Sequence, residues 1–300
     1  MFSRVIIATD LSPASMKIIR CAHGLLPIGT KEVLLLQCIK PMEALSLAFL
    51  ESEEKMKSML KEQKEILIEQ GFKADTEVVF DSVHKAINRI ACERNYSLIL
   101  IGTHGETLSK DILLGSVASE MIQTTCKPLL VVRLGNSHGD KEEICILPKS
   151  CNDFYSSLLF PTDFSKNADE AFLYVEKIVE SWCKSVTLLH VQDMINLEKY
   201  TKDEIRELDR IDMARLNNMK QQLLEINKDI EITLKLAHGK PSMEILKVSK
   251  SLKPSLIVMG SQGKGYVKEL FVGSVSHTVT RHAKTSTLLI PQLRKNKGGE

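Results

Sequence analysis

No apolar run in this 300-residue chain approaches the roughly 18 residues that a membrane-spanning helix needs. The most apolar local stretch, Ala44 to Leu50, is short and is interrupted by Ser46. The first ten residues, ending Val5-Ile-Ile-Ala-Thr-Asp10, lack a charged region followed by a long apolar one and a small-residue cleavage site, so they read as a first strand and not as a signal peptide. An excess of one charge is missing too. Forty Lys and Arg stand against 38 Asp and Glu, a net charge of +2, which removes the electrostatic case for a nucleic-acid binder. The seven cysteines contain no C-x-x-C pair, hence neither metal-ligand spacing nor a thioredoxin-type motif. They are expected to be reduced and to act as small hydrophobes, with Cys145 and Cys151 the one pair worth testing for a bridge. The G-x4-G-K-[ST] pattern is also absent, so no P-loop lysine is present to clamp a terminal phosphate. These absences predict a soluble, cytoplasmic protein with no membrane and no nucleic-acid partner.

What is present is ordinary globular composition, 43% hydrophobic and 26% charged, which argues against long disorder. The length suggests two domains, and the chain repeats itself. Ile99-Leu-Ile-Gly-Thr-His-Gly recurs as Ile257-Val-Met-Gly-Ser-Gln-Gly, and each copy runs on to Leu114-Gly-Ser-Val or Val272-Gly-Ser-Val. Upstream, Val5-Ile-Ile-Ala-Thr-Asp-Leu-Ser matches Leu158-Leu-Phe-Pro-Thr-Asp-Phe-Ser. The offset is 153 at Asp10 and Asp163 and 158 at the glycines, so the second copy carries five extra residues between them (158 minus 153). A tandem duplication is expected, with domains at 1–134 and 156–294. The turn-forming, charged residues 135–155 between them read as a linker. Neither half has a sign bias that would imply a polyanionic partner of its own: 16 basic and 16 acidic residues lie in 1–134, 22 and 18 in 157–300.

In the first half the apolar runs Val5–Ala8, Val33–Leu36, Val78–Phe80, Leu98–Ile101 and Leu129–Val132 are mostly unbroken, as in strands buried on both faces of a parallel sheet. Helical patterns fit between them. Met56, Met59, Leu60 and Leu67 share a face ahead of Gly71, and Ile205, Leu208, Leu216, Met219 and Leu223 do so in the second half. The predicted fold class is α/β: two tandem, doubly wound, five-stranded parallel-sheet domains of Rossmann-like type.

Ligands bind such sheets beyond the carboxyl ends of the strands, and three elements fall there. Thr9-Asp10 and Thr162-Asp163 follow the first strand of each copy. Gly102-x-x-Gly105 and Gly260-x-x-Gly263 follow the fourth. Gly115-Ser116 and Gly273-Ser274 open the next helix. Glycine there permits positive φ and close approach of N–H groups to an anion, and a helix opening on Gly-Ser offers unpaired donors, a positive dipole end and a hydroxyl. A carboxylate after the first strand suits a ribose hydroxyl and would repel phosphate. Together these elements favour a nucleotide. A single Gly-x-x-Gly often makes only a tight turn, so the weight rests on the full pattern G-x2-G-x9-G-S occurring twice, each time with its upstream Asp. Ser116, His104 and Asp10 supply the groups of a catalytic triad, but nothing in the sequence orders them as one.

The motif G-x2-G-x9-G-[ST], the strand-end Thr-Asp-x-Ser and the terminal Lys127-Pro-Leu-Leu-Val-Val-Arg resemble the universal stress protein family, in its ATP-binding branch. The likeness covers residues 1–134 and 156–293. It implies a five-stranded parallel α/β domain that binds adenine nucleotide (ATP, ADP or AMP), with any Mg or Mn arriving on the phosphates, in a stress-response sensor or regulator. A slow ATP hydrolase or autophosphorylating phosphotransferase, and a nucleotide-free interaction scaffold, are the alternatives. By the same resemblance Asp10 and Asp163 would hold ribose, and Thr9 and Thr162 would line the adenine side with Cys38 and Val191. Gly102, His104, Gly105, Gly115, Ser116 and Val117 would cradle phosphate in the first copy, and Gly260, Gln262, Gly263, Gly273, Ser274 and Val275 in the second. No catalytic residue and no protein metal ligand is expected. This sequence departs from the family pattern at Cys38, where valine is usual, at Asp81-Ser-Val83, where the second copy has His238-Gly-Lys-Pro241, and at Gln262, which stands where the first copy has His104. The resemblance further implies that Leu129–Val132 pairs with Thr287–Ile290, giving an intramolecular pseudo-dimer of the two domains, with room for a further homodimer contact.

Overall fold

The computed structural model describes residues 1–44, 47–103, 114–133, 154–181, 183–193, 200–263 and 273–292. In the first half the strands are β1 (Arg4–Thr9), β2 (Glu32–Ile39), β3 (Lys73–Phe80), β4 (Leu98–Gly102) and β5 (Leu129–Val132). The helices among them are α1 (Pro13–Arg20), α2 (Pro41–Ala44), α3 (Leu47–Glu69), α4 (Val83–Glu93) and α5 (Ser116–Thr124). The second half repeats the series with β6 (Ser157–Thr162), α6 (Lys166–Val179), β7 (Ser185–Asp193), α7 (Lys202–Ile226), β8 (Glu231–Gly239), α8 (Pro241–Leu252), β9 (Leu256–Gly260), α9 (Ser274–His282) and β10 (Ser286–Ile290).

The strands form one sheet in the order β3-β2-β1-β4-β5-β10-β9-β6-β7-β8. Every neighbouring pair is parallel except β5 with β10, where Thr287 faces Val131, Leu288 faces Leu130 and Leu289 faces Leu129 in antiparallel register. Within each half the order reverses direction between the first strand and the fourth, β1 and β4 or β6 and β9. Doubly wound sheets open a crevice at such a reversal.

The unbroken apolar strands are explained by two helical layers. Val5, Ile7, Val33, Leu35, Leu98 and Leu100 point into one core with Ile18 and Ile19 of α1 and Leu67 of α3. The alternate residues Ile6, Leu34, Leu36, Ile99 and Ile101 point into the other, with Ile87 and Ile90 of α4 and Met121 and Ile122 of α5. The second half follows the same alternation, Phe160 against Phe172 and Val175 on one face and Ile257 against Ile245 and Val279 on the other. Gly71, at φ +95, lies just past α3 in the left-handed conformation that glycine adopts without penalty.

Two expectations are corrected. β3 begins at Lys73, five residues before the predicted Val78, because it is a sheet-edge strand whose Lys73, Glu77 and Asp75 face outward and hide the strand from a search for apolar runs. The cysteines are not all reduced: Cys92, at the end of α4, is disulfide-bonded to Cys126, just before β5. The pair is 34 residues apart in sequence and meets only because α4 and α5 lie side by side. Cys38 and Cys183 are free thiols; Cys145 and Cys151 lie outside the described residues.

Candidate nucleotide site

Each half builds its strand-end turn in the same way. Thr9 Oγ1 accepts from Leu11 N at 3.1 Å, and Thr162 Oγ1 accepts from Phe164 N at 3.0 Å. These bonds hold Leu11 and Phe164 at φ +60 and +55, the left-handed region where a non-glycine residue needs such support. The next carboxylates are oriented by the following backbone: Asp10 Oδ1 accepts from Ser12 N, and Asp163 Oδ1 from Ser165 N, both at 3.1 Å. Ser15 Oγ also donates to Asp10. Ser12 and Ser165 then cap α1 and α6 by accepting from Ser15 N and Ala168 N. The strand-end Thr-Asp-x-Ser is therefore one device: a turn, an aimed carboxylate and a helix cap.

The threonine hydroxyls are committed to this turn and are buried, 6% exposed in each half. Thr9 Oγ1 also donates to Gln63 Oε1 at 2.9 Å. In the second half His190 Nδ1 donates to the Thr162 carbonyl at 2.7 Å, and its other nitrogen lies 3.4 Å from Asp212. Gln63, His190 and Asp212 had no signal as isolated residues in the sequence.

The glycine elements are pinned at both ends. Thr103 N donates to Val132 O and Gly115 N to Thr103 O; in the second half Ser261 N donates to Ile290 O and Gly273 N to Ser261 O. Gly115 and Gly273 are the N-caps of α5 and α9, and among the described residues neither helix has a side-chain cap. Their first N–H groups are left to be satisfied from outside the helix. Contrary to expectation, these glycines do not adopt positive φ: Gly115 and Gly273 sit at φ −68 and −67, which any residue adopts. Space tells them apart. A Cβ on Gly263 would lie 2.5 Å from Asp163 Oδ2, and one on Gly260 would lie 2.7 Å from Asn167 Oδ1. Among the described residues a Cβ on Gly273 would make only ordinary contacts, 3.5 Å to Ser261 O and 3.7 Å to Gly263 N.

The structure thus brings Asp163, Gly263 and Gly273 together from three separate segments. Gly260 ends β9 and Gln262 N donates to Asn167, a residue the motif search did not select. Ser116 and Ser274 are exposed at the helix starts, and Gly102 ends β4. Cys38 and Val117 are half-buried against one core layer, as are Val191 and Val275. Burial, with Asp81 and Glu77 nearby, pushes the Cys38 thiol up to about 12, so it stays neutral. The loops after the third strands do differ, with Gly239 at φ +149 before α8 where the first half has Asp81. His104 and Gly105 lie outside the described residues. Among those described, no cluster of His, Cys, Asp or Glu is arranged to hold a metal, and no helix is long and apolar enough to cross a membrane.

Known proteins match both halves. A universal stress protein from Archaeoglobus fulgidus of known structure shares the fold over 96% of this chain and 96% of its own, with a TM-score of 0.65 at 23% identity. The universal stress protein MJ0577 of Methanocaldococcus jannaschii is 29% identical over 164 residues, 47% of this chain and 97% of that one. A universal stress protein solved in complex with cAMP aligns with 44% of this chain and 93% of its own at 19% identity, with a TM-score of 0.36. The model of the universal stress protein family matches residues 1–133 and again 155–291. The chain belongs to the universal stress protein family, and carries its domain twice.

Proposed function

We propose that this protein binds an adenine nucleotide in each half and serves as a stress-response regulator whose ligand is read out through conformation or partner binding. The reading is carried by the convergence of Asp163, Gly263 and the start of α9 at Gly273. A carboxylate beside a glycine turn and a helix N-terminus suits a ligand with hydroxyls at one end and phosphates at the other. Gly273 adds a second argument. Among the described residues there is room for a side chain there, so their packing does not demand glycine, whereas a phosphate lying against the helix start would.

In this reading Asp10 and Asp163 accept from ribose, and the N–H groups of Ser116, Val117, Ser274 and Val275 meet phosphate with the Ser116 and Ser274 hydroxyls. Gly102, His104 and Gly105, and Gly260, Gln262 and Gly263, form the two turns. Cys38 and Val191 border the base beyond the ends of Thr9 and Thr162. Any divalent cation arrives with the phosphates. We further read residues 1–134 and 156–294 as two domains that pair as a pseudo-dimer in solution; the β5–β10 register supports this.

Calorimetric titration with ATP, ADP and AMP tests the reading, with two sites per chain expected. Gly273→Ala should weaken binding about tenfold or more while leaving the melting temperature within a degree or two, since its Cβ meets nothing among the described residues closer than 3.5 Å. No binding by any of the three nucleotides refutes the proposal.

A further inference from the structure

We propose that Asn167 prebuilds the glycine turn of the second half, making it the tighter of two unequal nucleotide sites that fill in order. The inference rests on the nucleotide reading above and adds which half binds first and why.

Asn167 is the second residue of α6, directly after the lysine that follows the cap Ser165. It is 3% exposed and fully used. Its Oδ1 accepts from Gln262 N at 2.9 Å, and its Nδ2 donates to Ile290 O at 3.1 Å and to Glu170 Oε2 at 3.3 Å. One side chain therefore ties the turn after β9 both to the last strand and to the helix that follows the ribose carboxylate. The fit is mutual, since a Cβ on Gly260 would run into Asn167 Oδ1 at 2.7 Å and its Cγ at 3.0 Å. An amide is required for this, because it must accept from one backbone group and donate to another. Aspartate offers no donor to Ile290 O, and alanine offers neither.

The first half is the internal control. Counting back 153 residues from Asn167 gives Ala14, again the second residue of its helix after a capping serine. A methyl group can neither accept from nor donate to backbone, so position 14 offers no counterpart of the Asn167 tie. A turn already in its bound shape loses less conformational freedom when ligand arrives. One backbone hydrogen bond's worth of pre-organisation corresponds to roughly tenfold in affinity.

The test is calorimetric titration of the full chain with ATP. Two classes of site differing about tenfold are expected, with Asp163→Ala removing the tighter and Asp10→Ala the weaker. Asn167→Ala should weaken the tighter class about tenfold and leave the other alone. Ala14→Asn should tighten the weaker class by a similar factor, an effect that a purely structural role for Asn167 would not produce. If circular dichroism shows Asn167→Ala to be unfolded, the Ala14→Asn result decides alone. Equal sites, a tighter class that disappears with Asp10→Ala, or an unchanged ratio in Ala14→Asn would overturn the inference and leave nucleotide binding intact. Failure of the wild-type chain to bind ATP at all would overturn both.

Discussion

Arg133 follows β5 and is 7% exposed, yet it carries a guanidinium into the seam between the halves. Its Nη2 donates to Thr280 O at 2.8 Å and to Arg281 O at 2.9 Å, in the last turn of α9, and its backbone N donates to Ser286 Oγ at 3.0 Å. A residue of the first half thus closes the carboxyl end of a helix in the second. Burial lowers its pKa to about 10, which leaves it charged at neutral pH. Two charge-assisted hydrogen bonds contribute about 1.5–3 kcal/mol each, and the cation at a helix C-terminus about another 0.3–1 kcal/mol. Desolvating the guanidinium costs several kcal/mol in return. Arg133→Met keeps most of the apolar stem and removes the charge, and a net loss of about 2 kcal/mol follows, localised at the seam. Hydrogen exchange monitored by mass spectrometry should then show amides of 129–132 and 286–290 exchanging about 30-fold faster, the factor equivalent to that energy. Peptides from β1, β2, β7 and β8 should change little. Seam exchange within about twofold of wild type would refute the staple, and uniform acceleration across both halves would place its effect on global stability.

Three further outcomes follow from the structure. Reducing Cys92–Cys126, or replacing Cys92 by serine, should destabilise the first half by about 3–4 kcal/mol, the chain-entropy figure for a loop of this length; thermal melts with and without dithiothreitol check it, and identical curves for a protein shown by thiol titration to be oxidised would contradict it. Phe160 is fully buried, with its ring 5.5 Å from that of Phe172, so Phe160→Ala should cost about 3–5 kcal/mol in urea unfolding. Glu176 has its pKa raised by burial and then by Glu180. Its native form binds protons more readily than the unfolded one, so its contribution is fully present below the ordinary value of 4.5 and is lost as pH rises through the raised native value. Glu176→Gln should therefore raise the melting temperature at pH 7 and give no gain below about pH 4; a gain independent of pH would show that charge is not the cause.

Much of the fold was legible because the central strands are buried on both sides, and such strands write themselves as unbroken Val, Ile and Leu. β3 wrote itself differently: at a sheet edge Lys73, Asp75 and Glu77 are admissible, and only Val78–Phe80 stood out. The strand-end motif was legible as Thr-Asp-x-Ser, but the part each residue plays was not. Its threonine serves the turn through Leu11 and Phe164, whose left-handed backbone has no sequence marker. Nor did the glycines announce their reasons. Gly263 yields to Asp163 and Gly260 to Asn167, and both depend on residues about 100 positions away. The Cys92–Cys126 pair is of the same kind, because proximity across two helices is decided by the fold and not by spacing.

Duplication sharpens what remains. The antiparallel seam is centred on Leu130 facing Leu288, residues separated by the repeat offset of 158, and its other pairs exchange equivalent positions. Two copies of either terminal strand would meet in the same register, so backbone pairing alone does not choose between like halves and unlike ones. Side chains break the tie. Adding 158 to Arg133 gives Pro291, and subtracting it from Ser286 gives Pro128. Joined to itself, the first half would face Arg133 N with a proline that lacks the hydroxyl it uses. The second half joined to itself would present Ser286 to a proline with no N–H to donate. Only the first half against the second brings Arg133 N to Ser286 Oγ, with the guanidinium on α9 beside it. Where two repeats share one fold, the positions at which they differ are the ones that assign each half its role: Arg133 and Ser286 at the seam, Ala14 and Asn167 at the turns.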